Sequence, residues 1–229
     1  MPLSTFNPLQ PCGLKLRPVD DPRWFWMMDD FISGYRGNYI DDYFWVAGGT
    51  GGGVTYSSSV PYNNGGLGYI GCTAGYYYSI YQAQSLFRSD LGFDITWRGR
   101  INSTSDITAS FGLADNVPNP TNFIAWMADS ALSANWVAVC QRVVPPTVSS
   151  IVDTGVALNT GYHEFRICFG MGGTNASIFL DGVPYGSLGT DGGRPTADMG
   201  LKPFAQVSSS GNVRYAIVDY FEGWGGRLP

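Results

Sequence analysis

The sequence predicts an all-β protein, a sandwich or jelly roll that carries an extended N-terminal arm, and three observations support this prediction. First, 31 glycines and 14 prolines divide the 229 residues into short pieces. Second, no stretch sustains the apolar spacing of three and four residues that an amphipathic helix needs. Third, about a dozen short apolar or alternating segments recur every eight to twelve residues or so, which is typical of these folds.

Composition excludes several classes of function. Charged residues make up only 14% of the chain, and the 13 lysines and arginines are scattered, so the sequence shows no basic patch for nucleic acid. No apolar run approaches the length of a membrane span, and the N-terminus lacks the basic start and apolar core of a signal peptide. We therefore expect a chain made in a cytoplasm, with neither nucleic acid nor a membrane as partner.

Residues 1–22 are predicted to form the extended arm, and residues 23–229 the sandwich domain. Five prolines in the arm oppose helix formation and favour extended backbone. Such a segment cannot bury Phe6, Leu9 and Leu14 within itself. These three side chains are therefore expected to dock on the chain's own domain or on a neighbouring subunit, or to stay disordered.

The strands of the first half follow the arm. The segments "RWFWMMDDFIS" and "YFWVAGG" are apolar on both alternations, which is typical of strands covered on two faces. The stretch 49–84 is rich in Gly, Ser and Tyr and predicts short meandering strands with wide turns. The segment "LGFDITWRGRI" alternates most clearly. Its two predicted faces are Phe93, Ile95 and Trp97 on one side and Asp94, Thr96 and Arg98 on the other.

The second half continues with short strands at similar spacing. "DITASFGLAD", "TNFIAWMAD" and "NWVAVCQRV" each fit one strand of about five or six residues. "GYHEFRICFG" places Phe165, Ile167 and Phe169 on one face. Asp181 and Gly182 predict a tight hairpin turn because both residue types tolerate positive φ. "KPFAQVSSS" and "VRYAIVDYFEGWG" supply the last two strands.

Several short motifs also occur in a characteristic order between about residues 23 and 224. They are "DDF", "GFDITWRGRI" before "ASFGLAD", "NWVAVC", "VDTGVALNTGYHEFRI", "IFLDGVPYGSL" and the closing "AIVDYFEGW". Their order and spacing resemble the concanavalin A-like (lectin/glucanase) jelly roll of structural proteins in tailed bacteriophages. The resemblance implies a virion component, commonly a capsid decoration protein or a tail-fibre module, without catalytic duty. The arm departs from this pattern, since many such domains begin close to "DDF".

A glycosidase on this fold requires two carboxylates held at a defined separation. In the glucanases of the fold that this sequence resembles, they lie on one strand as Glu-x-Asp-x-Glu. Here the two glutamates, Glu164 and Glu222, have no acidic residue two positions away. We therefore predict that the chain is not an enzyme and has no catalytic residues; a polysaccharide hydrolase that depends on Asp94 is the third hypothesis. His163 has no accompanying Gly-x-Ser-x-Gly motif and is predicted to be a surface or turn residue.

One loop has two interpretations. "LADNVPNPTN" groups four oxygen-bearing side chains of the kind that bind calcium in lectins of this fold, namely Asp115, Asn116, Asn119 and Asn122. The same residues also form Asx-rich turns, and this interpretation is favoured because carboxylates are few. We predict no metal and no cofactor.

The four cysteines are widely spaced and include no Cys-x-x-Cys pair. This spacing gives little support to a zinc site or a disulfide framework. Cys12, Cys72, Cys140 and Cys168 are therefore predicted to be free and mostly buried thiols.

The leading functional hypothesis is a capsid decoration (cement) protein on the capsid surface of a virion. It predicts a homotrimer that binds the major capsid protein and grips the shell or a neighbouring subunit through the arm. Tyr76, Tyr77 and Tyr78 alternate across both faces of their strand, so some of them are expected to face a partner. The alternative is a tail-fibre or receptor-binding module that recognises a host-surface glycan.

Overall fold

The structure is a computed structural model that describes residues 24–29, 45–56, 68–82, 84–117, 119–142, 148–170, 175–189 and 200–226. Thirteen antiparallel strands form within these ranges, so the all-β prediction is confirmed. The described ranges contain no helix long and apolar enough to cross a membrane. The strands are β1 (Trp24–Asp29), β2 (Trp45–Tyr56), β3 (Gly68–Gln82), β4 (Phe93–Ile101), β5 (Ile107–Ala114), β6 (Phe123–Asp129), β7 (Asn135–Arg142), β8 (Val148–Ala157), β9 (His163–Phe169), β10 (Ala176–Leu180), β11 (Val183–Leu188), β12 (Lys202–Ser209) and β13 (Arg214–Gly226).

The strands form two facing layers that share β3. The hydrogen-bonded order is β11-β10-β9-β4-β13-β3-β12-β5-β6-β7-β8, with β1 added to β13 and β2 added to β3. Residues 68–72 of β3 pair with β13, whereas residues 77–81 pair with β12. We call the layer from β11 to β13 sheet one and the layer from β12 to β8 sheet two. Because β3 passes from one layer to the other, the strands enclose one core.

Aromatic side chains from both sheets meet in that core. The Phe165 ring of sheet one stacks on Phe111 of sheet two, with centroids 4.8 Å apart and planes 10° from parallel. It also contacts Trp126 and Trp136 of sheet two. Trp97 and Phe165 are fully buried, so the predicted alternations of β4 and β9 are confirmed. Each such side chain contributes about 1.5–3 kcal/mol through burial.

The β2–β3 hairpin differs from its prediction, since the expected short meandering strands are two long strands of 12 and 15 residues. Gly51 has φ +59°, and a Cβ added there would collide with the ring of Tyr76 on β3. A Cβ added at Gly49 or Gly52 would collide with a backbone carbonyl oxygen of β3. At Gly51 the Tyr76 ring thus occupies the space that a side chain on β2 would fill, an aromatic rescue of glycine, and at Gly49 and Gly52 the close backbone of β3 leaves no room for a side chain.

The start of β9 corrects the prediction for His163, which is buried rather than on the surface. Its Nδ1 lies 2.7 Å from Asp181 Oδ2, and its Nε2 lies 3.0 Å from Asn159 Oδ1. Both ring nitrogens therefore have hydrogen-bond partners, which is what permits burial. Asp181 (φ 51°) and Gly182 (φ 78°) form the predicted hairpin turn.

The cysteine prediction is correct for two positions and wrong for one. Cys72 and Cys140 are buried thiols that form no disulfide, and burial raises the pKa of Cys140 to about 12, so this thiol stays protonated. Cys168 is disulfide-bonded, so the prediction of a free thiol is wrong at this position. Wide spacing along a chain does not prevent approach in space, which is why spacing alone gave the wrong answer. Cys12 and the arm, with Phe6, Leu9 and Leu14, lie outside the described residues, and what the arm binds stays a prediction.

Candidate binding groove

A groove of about 390 Å³ lies on the outer face of sheet two, the face turned away from the core. Strand register brings its central residues together: Gln206 of β12 pairs with Ser110 of β5, and Ser110 pairs with Met127 of β6. Successive residues of a strand point to opposite faces, and residues paired across neighbouring strands point to the same face, so these three share the outer face. The groove is lined by Thr108, Ser110, Asn119, Pro120, Thr121, Phe123, Met127, Phe204, Gln206 and Ser208.

The floor of the groove is apolar and firmly packed. Phe204 is only 1% exposed although it faces outward, because it belongs to a second, smaller hydrophobic cluster outside the main core. Half-buried Phe123 and Met127 pack against this cluster. Side chains held by such contacts keep their positions without a ligand, so the floor is largely pre-formed.

The walls of the groove are polar but uncharged. The hydroxyls of Thr108, Ser110 and Ser208 make no hydrogen bond to the part of the chain that the structure describes. Each hydroxyl can donate one hydrogen bond and accept two. None of the ten lining residues carries a charge. The groove thus combines an apolar floor with hydrogen-bonding groups that are available to a ligand.

Asp115 fixes the rim at one end of the groove. Its Oδ1 accepts hydrogen bonds from the backbone N–H groups of Asn116 (2.6 Å), Thr121 (3.1 Å) and Asn122 (3.0 Å). Its Oδ2 accepts from the Thr121 hydroxyl at 2.6 Å and the Asn122 side-chain amide at 2.5 Å. Burial raises the pKa of Asp115, but the hydrogen bonds from Thr121 and Asn122 outweigh burial and hold the pKa below its ordinary value.

This geometry bears on the two interpretations of the loop. Both oxygens of Asp115 point to donors of their own loop, as in an Asx turn, and Asn122 is buried beside them. Asn116 contributes a backbone N–H, while Asn119 lines the groove. Among the described residues, no group of three or more His, Cys, Asp or Glu side chains is placed to hold a metal ion.

The outer face of sheet one has the opposite character, because its polar side chains are charged and paired. Arg166 donates two hydrogen bonds to Asp94, from Nε at 2.8 Å and from Nη2 at 2.6 Å. The Tyr220 hydroxyl donates to Glu164 at 2.9 Å, and burial together with this carboxylate raises the pKa of Tyr220. Asp94, the residue of the hydrolase hypothesis, therefore lies on the face opposite the groove and is held by Arg166.

The three predicted interface tyrosines differ in their surroundings. Tyr76 is 48% exposed, Tyr77 is half-buried beside Ser208 of the groove, and Tyr78 packs against the main core. Their distribution over both faces agrees with the alternation, and their contact with a partner stays a prediction. The groove could not be predicted from the sequence because Ser110, Met127 and Gln206 lie on three different strands and become neighbours only through strand pairing.

No protein-family model and no curated protein sequence matches the chain. Solved structures match in fold. The carbohydrate esterase vb_24B_21 of Shiga toxin-encoding bacteriophage phi24B is 12% identical with a TM-score of 0.58, over 86% of this chain and 97% of that one. The carbohydrate recognition domain of Emp47p is 12% identical with a TM-score of 0.60, over 87% and 95%. The Bacteroides ovatus mixed linkage glucan GH16 protein, in complex with a G4G4G3G product, is 10% identical with a TM-score of 0.59, over 86% and 99%.

These similarities confirm the predicted concanavalin A-like lectin/glucanase sandwich and correct the prediction about catalysis. The prediction that the chain is not an enzyme is wrong as a deduction from this fold, because similar structures include a glycoside hydrolase and a carbohydrate esterase. The Glu-x-Asp-x-Glu pattern describes one arrangement of catalytic groups, and its absence does not exclude others on the same scaffold. One similar structure comes from a bacteriophage, whereas capsid decoration, the trimer and the virion location stay predictions.

Proposed function

We propose that the chain binds a neutral carbohydrate in the groove on the outer face of sheet two. The observation that carries this proposal is the combination of an apolar floor with uncharged polar walls. A sugar ring presents a C–H face and an edge of hydroxyls. Half-buried Phe123 and Met127 suit the C–H face, while buried Phe204 packs beneath them. The hydroxyls of the walls suit the edge.

The structural neighbours support this class of ligand. One is a carbohydrate recognition domain, one is a carbohydrate esterase, and one is in complex with a glucan product. The absence of charge among the ten lining residues favours neutral sugars over uronates or sulfated sugars, whose charge would lack a partner in the groove.

An array of neutral and acidic oligosaccharides followed by calorimetric titration of the best ligand tests this proposal. Ser208→Asp places a carboxylate in the groove and is expected to lower affinity at least tenfold. Ser177→Asp is the matched control, because Ser177 is a half-buried strand serine on the outer face of sheet one. The absence of saturable binding across the array, or equal losses in both variants, contradicts the proposal.

A second candidate, the capsid decoration protein, is favoured by the uncharged β2–β3 hairpin, which suits packing within an assembly. In this proposal the chain stabilises a capsid shell as a trimer on the major capsid protein. Cryo-electron microscopy of the virus particle that would carry the chain tests this second proposal. Density at regular capsid lattice positions is the expected result, whereas density only on the tail contradicts it and favours recognition of a host glycan by a fibre.

A further inference from the structure

We infer that the groove holds the end of a sugar chain rather than an internal segment, because it is closed at one end and open at the other. This inference rests on the proposed function. The groove follows the strands of sheet two. It extends from the paired residues Thr108 and Ser208 to Phe123 and the β5–β6 loop, which lies between Ala114 and Phe123. Its ends lie about six residues, or roughly 20 Å, apart along β5.

The β5–β6 loop closes one end of the groove, because it folds back over the outer face of sheet two. Val117 of this loop is buried in the smaller hydrophobic cluster, together with the outward-facing Phe204 and Ala125. Residues 119–121 of the same loop line the groove. The hydrogen bonds that Asp115 accepts hold the loop in this position. The loop is therefore a fixed wall across the groove.

The sides of the groove are bounded as well. In its central row, Ser79 of β3 pairs with Gln206, and Val137 of β7 pairs with Met127, so both flanking side chains face outward. Both are nevertheless buried, with exposed fractions of 0% for Ser79 and 1% for Val137. The groove therefore does not continue across the sheet at this row, and a bound sugar chain has to follow the strands.

The opposite end of the groove, beside Thr108 and Ser208, is open to solvent. The chain turns just beyond these residues, at Asp106 and Ser210, and both turn residues are exposed. The Ser210 N–H donates a hydrogen bond to the Asp106 carbonyl at 3.4 Å, which ties the two turns together. Among the described residues, none of these turns lines the groove. A sugar chain leaves the groove past this end, so its terminal unit is the one that meets the wall.

The wall offers polar groups that suit the end of a sugar chain. A terminal unit carries a free hydroxyl where an internal unit is linked to the next sugar. Asn119 is exposed, and its side-chain amide makes no hydrogen bond within the described residues, so it can both donate to and accept from such a hydroxyl. The Thr121 hydroxyl donates to Asp115, and its oxygen can still accept. An internal unit would instead direct its next sugar into the wall.

Calorimetric titration of the full chain with linear neutral glucans of increasing length, up to a long polymer, tests this inference. The glucans share the linkage that the oligosaccharide array selects. We expect one protein to bind per glucan chain at every length, because lengthening a linear chain adds no ends. A number of bound proteins that rises with glucan length, as recognition of internal units requires, overturns the inference and leaves the proposed function standing. Absence of saturable binding at every length contradicts the proposed function itself.

Two asparagines of the loop provide a matched pair of variants. Asn119 and Asn116 are both exposed, but Asn119 lines the groove, whereas Asn116 donates its backbone N–H to Asp115. Asn119→Ala is expected to weaken the binding of short and long glucans alike by a factor of about five, because both present the same terminal unit to the wall. Asn116→Ala should bind as wild type does, and circular dichroism should show both variants folded. Equal effects of the two variants, or a loss in Asn119→Ala that is confined to the long polymer, overturn the placement of the chain end at the wall.

Discussion

The two outer faces of the sandwich arise from the same strand alternation, yet they carry opposite chemistry. On sheet one, Asp94 is bound by Arg166, and Arg98 lies 3.2 Å from Asp219. The groove on sheet two has no charged residue in its lining. One shared core supports both faces, with Phe165 of sheet one packed on Phe111 of sheet two.

The difference shows that the polar side chains of the two faces differ in their hydrogen-bond partners. The polar groups of sheet one largely bond to one another, so a ligand would have to replace bonds already made. The hydroxyls of Thr108, Ser110 and Ser208 have no such partners within the described part of the chain. A ligand that bonds to them displaces only water, which makes sheet two the better binding face.

Removing the Arg166 side chain from the outer face of sheet one is expected to give the largest change in stability. Arg166→Ala removes two hydrogen bonds from Asp94, whose side chain is only 26% exposed, and leaves this carboxylate without its partner. We expect a loss of about 2–3 kcal/mol in the free energy of unfolding. Urea denaturation measures it. Arg98→Ala is the control, because Arg98 is 48% exposed and such surface pairs contribute below about 1 kcal/mol.

The second-largest loss of stability is expected from a change at the rim of the groove. Asp115→Ala removes the acceptor of five hydrogen bonds from the loop, and we expect a loss of about 1–2 kcal/mol. Hydrogen exchange of the Asn116, Thr121 and Asn122 amides should accelerate in this variant, because these amides lose their acceptor. Unchanged exchange would show that the loop does not depend on Asp115.

The same carboxylate predicts a pH dependence. The pKa of Asp115 in the folded chain lies below its ordinary value of 3.8, so its stabilising effect is fully present above that value. The effect is lost as the pH falls through the folded-state pKa. The stability difference between wild type and Asp115→Ala should therefore be constant near neutral pH and shrink in strong acid. Urea denaturation at a series of pH values measures this difference, and a difference that grows in acid contradicts the assignment.

Two phenylalanines, one on each outer face, allow the contributions of the two faces to glycan binding to be compared. Phe123 and Phe179 are both half-buried and face outward, the first in the groove and the second under Arg166 on sheet one. Phe123→Ala is expected to weaken glycan binding about tenfold, because it removes part of the apolar floor. Phe179→Ala should leave affinity unchanged in the same calorimetric titration. Equal effects would show that the groove is not the binding site.

The smallest expected effect concerns one hydroxyl. Ser110→Ala removes a group that makes no hydrogen bond within the described residues, so the free energy of unfolding should change by less than about 0.5 kcal/mol. Glycan affinity should fall by a factor of about five, which corresponds to one lost hydrogen bond. A large loss of stability in this variant would assign the hydroxyl a structural role instead.

The sequence predicted the features that depend on local patterns. The alternation of β4, with Trp97 inward, and the turn at Asp181 and Gly182 are properties of a few consecutive residues, and both predictions are confirmed. The resemblance based on ordered motifs also led to the correct fold class.

Features that depend on neighbouring strands could not be predicted in this way. Gly51 remains in a long strand because Tyr76 covers it, and His163 is buried because Asn159 and Asp181 bond to its ring. The groove exists because β12 and β5, far apart in sequence, are paired. The catalytic prediction failed for a related reason, since it treated one same-strand pattern as the requirement for a whole fold.

The most direct test of glycan binding in the groove is a titration of the chain with a neutral glucan oligosaccharide. The amide NMR shifts are followed during the titration to locate the bound sugar. We expect saturable shifts in β5, β6 and β12, the strands that line the groove, and at Asn119, Thr121 and Asn122 of the rim. The amides of β4 and β9 that accompany outward side chains on sheet one should not move. Saturable shifts confined to β4 and β9, or no saturable shift with any neutral glycan, would contradict glycan binding in the groove.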